Sequence, residues 1–142
     1  MYKLSYILLS LVALLGVACH DTQRSVEFRD EEGSLWRDAE EFYFDNQDSL
    51  SRRDISIVVR YDGSCDVDSI ALKVLTISPD SMLYEEPFTL RIPRLADMRP
   101  QEHTFPYRSN VLLRQKGNYY FRITPSEPAE GIASVGLIIT DN

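Results

Sequence analysis

Asp62, Asp66 and Asp68 set three carboxylates around the turn in YDGSCDVDS, and Ca²⁺ takes its oxygen ligands from tight turns of this kind. No bidentate Glu follows to complete a calcium loop, so the segment reads as an acidic turn and no metal is expected. Glu40-Glu41 and Glu85-Glu86 supply paired carboxylates, the groups that glycoside hydrolysis uses. Adjacent residues on a strand point to opposite faces, so neither pair can act as a catalytic couple. His103, close to Pro106, reads as an edge-strand surface residue, and no GxSxG, HExxH, Gly-rich phosphate loop or CxxC accompanies it. Neither a catalytic residue nor a cofactor is expected. Acids beside Cys65 disfavour its thiolate, and it reads as inert. Trp36, Tyr43, Tyr61, Tyr84, Tyr107, Tyr119 and Tyr120 could build a platform for a sugar ring. Aromatics at alternate strand positions more often fill a core.

The clearest chemical signal is an address. Lys3 precedes the uncharged run Leu4 to Cys19, which closes on small residues before the polar His20 to Ser25. That run is too short to span a bilayer comfortably and reads as a secretion signal. Gly16 and Ala18 would suit ordinary signal cleavage. Leu15 to Cys19 also reads as a bacterial lipobox, in which the Cys19 thiol receives diacylglycerol and the signal is then cut before it; a cysteine closing such a run favours this reading. Residues 1–18 are then the lipoprotein signal peptide, 19–25 a lipidated, mobile tether and 26–142 the folded domain.

Of 142 residues, the first 18 include one charge, Lys3; without them 124 residues carry 14 basic and 22 acidic side chains, a net charge of −8. One domain with a real core fits that length. Nucleic acid is excluded as a partner by the charge. A basic patch for anionic lipid is equally absent, so membrane attachment rests on Cys19. Interspersed charges such as Arg52, Arg53 and Asp54 read as a solvated surface.

From Val26 onward apolar residues alternate with polar ones between turn signals, the all-β pattern. Ile55, Ile57, Val59 and Tyr61 form the best strand, and Ile70, Leu72 and Val74 the next; the short connection between them predicts a hairpin. Phe88, Leu90 and Ile92 share a face until Pro93. His103 to Tyr107 is an edge strand because of Pro106, and Val111 to Leu113 is a short run before a Gly117-Asn118 turn. Tyr119, Phe121 and Ile123 alternate, then Val135, Leu137 and Ile139. Leu35 to Phe44 could place Leu35, Ala39, Phe42 and Tyr43 on a helix face with Ser34 as N-cap, but from Glu40 it reads as strand. These elements predict an antiparallel two-sheet β-sandwich.

Gly117, Tyr119 and Phe121 in GNYYF, then Glu130-Gly131-Ile132, then Val135-Gly136-Leu137 resemble the C-terminal segment of the gliding-motility lipoprotein GldH family. Trp36, Asp38, Phe42 and Phe44, and the strand Ile57 to Ser64, are similar to further segments of that family. The resemblance implies a non-enzymatic outer-membrane lipoprotein of the cell envelope, an interaction or assembly component of the gliding apparatus linked to type IX secretion. Its partners would be other envelope proteins. A glycan-binding lipoprotein is the alternative. The lipobox carries the first expectation: Cys19→Ala abolishes acylation and lipoprotein cleavage, read by the mass of the mature protein; a wild-type protein with no lipid mass would contradict it.

Overall fold

The computed structural model describes residues 23–142. Residues 1–18 and Cys19 lie outside the described residues. The chain runs β1 Arg24–Asp30, a 3-10 turn Glu32–Ser34, β2 Leu35–Trp36, β3 Glu40–Asn46, β4 Arg52–Tyr61, β5 Ser69–Ile77, β6 Leu83–Arg91, β7 Gln101–Leu112, β8 Gly117–Pro125, β9 Ala129–Glu130 and β10 Ile132–Asp141. The expected fold class is the observed one: two antiparallel four-stranded sheets, ordered β1-β10-β4-β7 and β3-β8-β5-β6, with a small β2-β9 ribbon. Leu35 to Phe44 is not helical: β2 ends at Trp36, the chain bends at Asp38, and strand resumes at Glu40 as expected. The first strand, β1, begins at Arg24, two residues before the alternation expected from Val26.

Alternation explains the core. Ile55, Ile57, Val59 and Tyr61 of β4 meet Phe42 and Phe44 of β3, Tyr119, Phe121 and Ile123 of β8, and Leu137 and Ile139 of β10 in one buried cluster between the sheets. Pro106 does confine β7 to an edge, and β6, with Pro87, is the edge of the other sheet. Where those two edges face each other, Glu86 of β6 bonds Tyr107 and Arg108 of β7, and Phe88 meets the Tyr107 ring edge-on at 5.2 Å.

Three expectations need correction. β4 and β5 are not a hairpin: β4 pairs with β10 and β7, while β5 pairs with β6 and β8 in the other sheet, so residues 62–68 cross between sheets. Alternation says which face a strand buries but not which strand it pairs with. Val111 does not begin a separate run; β7 continues through Asn110, at φ 57, to Leu112, and Gly117 opens β8 rather than forming a turn with Asn118. Arg53, expected on the surface, is 0% exposed. It shares the inward parity of Ile55 and Ile57, ion-pairs with Asp141, donates to the Asp48 carbonyl at 3.2 Å and lies over the Phe44 ring at 5.1 Å.

Two glycines sit where a side chain would collide. Gly131 has φ +78, and a Cβ there would run into the Cys65 backbone, because the 62–65 turn is bonded to it through Asp62 N–H donating to the Gly131 carbonyl at 3.1 Å. Gly136, central in its sheet, lies under the Phe28 ring, which a Cβ would approach to 2.7 Å. Leu137 is buried beside it. Leu137→Ala is therefore expected to cost about 2–5 kcal/mol, the range for buried leucine truncation; chemical denaturation measures it, and an unchanged midpoint would show that the residue does not support the core.

Candidate functional site

Strands of β3-β8-β5-β6 turn alternate residues outward, and their register aligns Tyr43, Tyr120, Ile77 and Leu83 in one row straight across all four. Tyr43 is 56% and Leu83 64% exposed, and the Tyr43 and Tyr120 rings lie 5.3 Å apart, tilted by 54°. The adjacent row is Glu41, Arg122, Leu75 and Glu85. The Tyr120 hydroxyl donates to Glu41 at 2.8 Å; burial and then that carboxylate raise its pKa. Counting outward positions of the four strands, Glu41, Asp45 and Glu85 balance Lys73, Arg91 and Arg122, so this face is neutral on a chain of net −7. The outer face of the other sheet differs: Phe28 lies on Gly136 and is covered by the Arg60 guanidinium at 3.9 Å.

The predicted platform is divided. Trp36, Tyr61, Tyr107 and Tyr119 are buried; the Trp36 indole donates to the Asp38 carbonyl at 3.0 Å and the Tyr61 hydroxyl to the Pro93 carbonyl at 2.7 Å. Tyr84 is exposed at the mouth of a pocket of about 170 Å³ between the β6 and β7 edges, lined also by Ile55, Tyr107 and Phe121. Only Tyr43 and Tyr120 are brought together on a surface. The residues that carry the expected resemblance have structural places: Trp36 pairs with Ala129 across the β2-β9 ribbon, Tyr119 and Phe121 are core, Gly117 has φ 118, Gly131 receives the Cys65 turn, and Ile132, Val135 and Gly136 lie on β10, inside its sheet.

The acidic turn dissolves into separate jobs. Asp62 accepts from the Ser64 hydroxyl and from the Ser64 amide at 2.8 Å, and the hydroxyl bond first and then the amide lower its pKa, while Asp68 pairs with Arg94 at 2.9 Å. Burial raises the Cys65 thiol pKa. His103 is exposed on β7. Glu86 is held low by its bond from Arg108. Alternation missed one carboxylate contact: Glu31, after β1, meets Glu40 at the start of β3. Burial and then Glu40 lift Glu31 to about 7. Burial raises Glu40 as well.

No protein-family model matches the chain, and no curated protein matches it. It is similar to a structure of the infectious bursal disease virus Gx strain at 11% identity, TM-score 0.39, covering 83% of this chain and 32% of that one. Dimeric latent PorU from Porphyromonas gingivalis matches at 14% identity and TM-score 0.33, covering 89% and 13%. A carbohydrate-binding module specific for non-crystalline cellulose matches at 9% and 0.33, covering 82% and 70%. This chain thus spans about a third or less of the first two, and no function is carried over from any of them.

Glu31 generates a pH expectation. Its folded pKa of about 7 exceeds its ordinary 4.5, so the folded protein binds the extra proton and Glu31 favours folding at low pH. That contribution is lost as pH rises through the window between them. Glu31→Gln should flatten the fall in melting temperature between about pH 5 and about pH 8; an equally steep fall in the variant would show that Glu31 ionises normally.

Proposed function

We propose that this chain is a non-enzymatic envelope lipoprotein, GldH-like, anchored by acylated Cys19 in the outer membrane, and that it serves gliding and type IX secretion-linked assembly by docking on other envelope proteins. The observation that carries this reading is the uncapped row Tyr43, Tyr120, Ile77 and Leu83 across one sheet. Exposed apolar residues in contiguous groups, rimmed by polar ones, mark interaction surfaces. Its charge neutrality removes the repulsion that an acidic chain would otherwise meet on an acidic partner. Half of the row is aliphatic, which suits packing against protein side chains.

The second reading, glycan binding, is favoured by the Tyr43–Tyr120 pair alone. The rings are tilted to each other rather than laid flat, and the aromatics that would extend them along a chain of sugars are in the core. Two variants separate the readings. Tyr43→Asp with Leu83→Asp should abolish co-purification of envelope proteins with the lipidated protein while leaving its melting temperature near wild type, since both side chains are exposed. Saturable binding of one polysaccharide, lost in Tyr43→Ala and Tyr120→Ala, would replace docking by glycan binding; undiminished co-purification from the Asp variant would remove this face from the interface.

A further inference from the structure

The sandwich has two chemically different ends. β1 starts, β3 ends, β4 starts, β5 ends, β6 starts, β7 ends, β8 starts and β10 ends at the same end, so the loops 47–51, 78–82 and 113–116 cluster there with Gln23. Gln23 is tied into that end: its side chain donates to the Asp45 carbonyl at 2.7 Å and its amide to the Asp141 carboxylate at 2.7 Å. These three loops hold Asp48 and Asp80 against Arg114 and Lys116, a net charge of zero. At the opposite end, loops 31–39, 62–68, 92–100 and 126–131 hold nine carboxylates against three arginines, a net of −6.

Two of the loops at the Gln23 end are built alike. Asp48 accepts from the Leu50 amide at 2.7 Å, and Asp80 accepts from the Ser78 hydroxyl and from the Met82 amide at 3.4 Å. Each tight turn consumes its own carboxylate and leaves one apolar side chain outside: Leu50 is 86% exposed and Met82 67%. The third loop exposes Arg114 and Lys116. Cys19 lies four residues before Gln23, and four residues reach at most about 14 Å.

We infer that the Gln23 end of the sandwich rests on the bilayer, with Leu50 and Met82 seated in the lipid interface, Arg114 and Lys116 at headgroup level and the acidic end directed away. This inference rests on the anchored reading above. The short tether brings this end to the surface, and the charge division favours one orientation, because anionic lipid repels the −6 end and not the neutral one. Apolar side chains at the acyl boundary add buried area to the lipid anchor and fix which end of the domain faces it. The orientation also leaves the Tyr43 to Leu83 row standing on the flank of an anchored domain, reachable by neighbours in the same membrane.

Trp36 is the only tryptophan and is fully buried, so an added one reports by itself. The lipidated chain carrying Leu50→Trp or Met82→Trp, reconstituted in vesicles of phosphatidylcholine and anionic phosphatidylglycerol with bromine on the acyl chains, is expected to be quenched several-fold more than Met98→Trp, which sits exposed in a loop at the acidic end. Quenching of Leu50→Trp and Met82→Trp no stronger than that of Met98→Trp, in protein that floats with the vesicles, would overturn the inference alone. Protein without acyl mass that does not float would overturn the anchor and the inference together.

Discussion

A buried cation holds the Gln23 end of this sandwich together. Arg53 enters the core on the same face as Ile55 and Ile57, and its guanidinium meets the Asp141 carboxylate, the Asp48 carbonyl and the Phe44 ring. Asp141 in turn receives the Gln23 amide. One side chain therefore joins the start of β1, the β3–β4 loop, the inner face of β3 and the last strand. Breaking one partner of such a pair strands a charge in the interior at about 3–5 kcal/mol. Buried Asn46 supports the same region, its amide donating to the Leu113 carbonyl at 2.9 Å and to the Gln115 carbonyl at 2.7 Å. Two of the loops this polar knot braces carry Leu50 and the Arg114 to Lys116 pair.

With that end fixed, the remaining surfaces divide by how completely they are finished. On the outer face of β1-β10-β4-β7, Gly136 makes room for Phe28 and Arg60 covers the ring, a packed arrangement with a charged lid. The β6 and β7 edges carry Pro87 and Pro106, which withhold donors from an added strand. On β3-β8-β5-β6 no arginine is seated over the Tyr43 to Leu83 row among the described contacts, and the outward charges of the whole face sum to zero. Contrast between the two faces, more than exposure of any one residue, is what singles out this sheet.

Much of this was legible because strand periodicity is strict. Ile55 to Tyr61, Tyr119 to Ile123 and Val135 to Ile139 announce their inner faces residue by residue, and Pro106 announces an edge. Partnering was not legible: the short link after Tyr61 suits a hairpin, yet the chain crosses to the other sheet, since pairing depends on contacts distant in sequence. Arg53 was misread because charge outweighed parity, although its spacing from Ile55 carried the signal. The surface row escaped notice because Tyr43, Ile77, Leu83 and Tyr120 are aligned only by the register of four strands. Gly131 and Gly136 show a similar pattern: they serve turn and ring packing, which ties the C-terminal segment to fold rather than to a binding surface.

The central claim is that the outer face of β3-β8-β5-β6 contacts other envelope proteins. A photo-cross-linking residue placed at Tyr120, in the middle of the row, and another at Thr104, on the outer face of the opposite sheet, test it in native membranes. The expected result is a discrete cross-linked envelope protein from position 120 and none from position 104. Equal products from both positions, or none from position 120 with the protein present and folded, would contradict the claim.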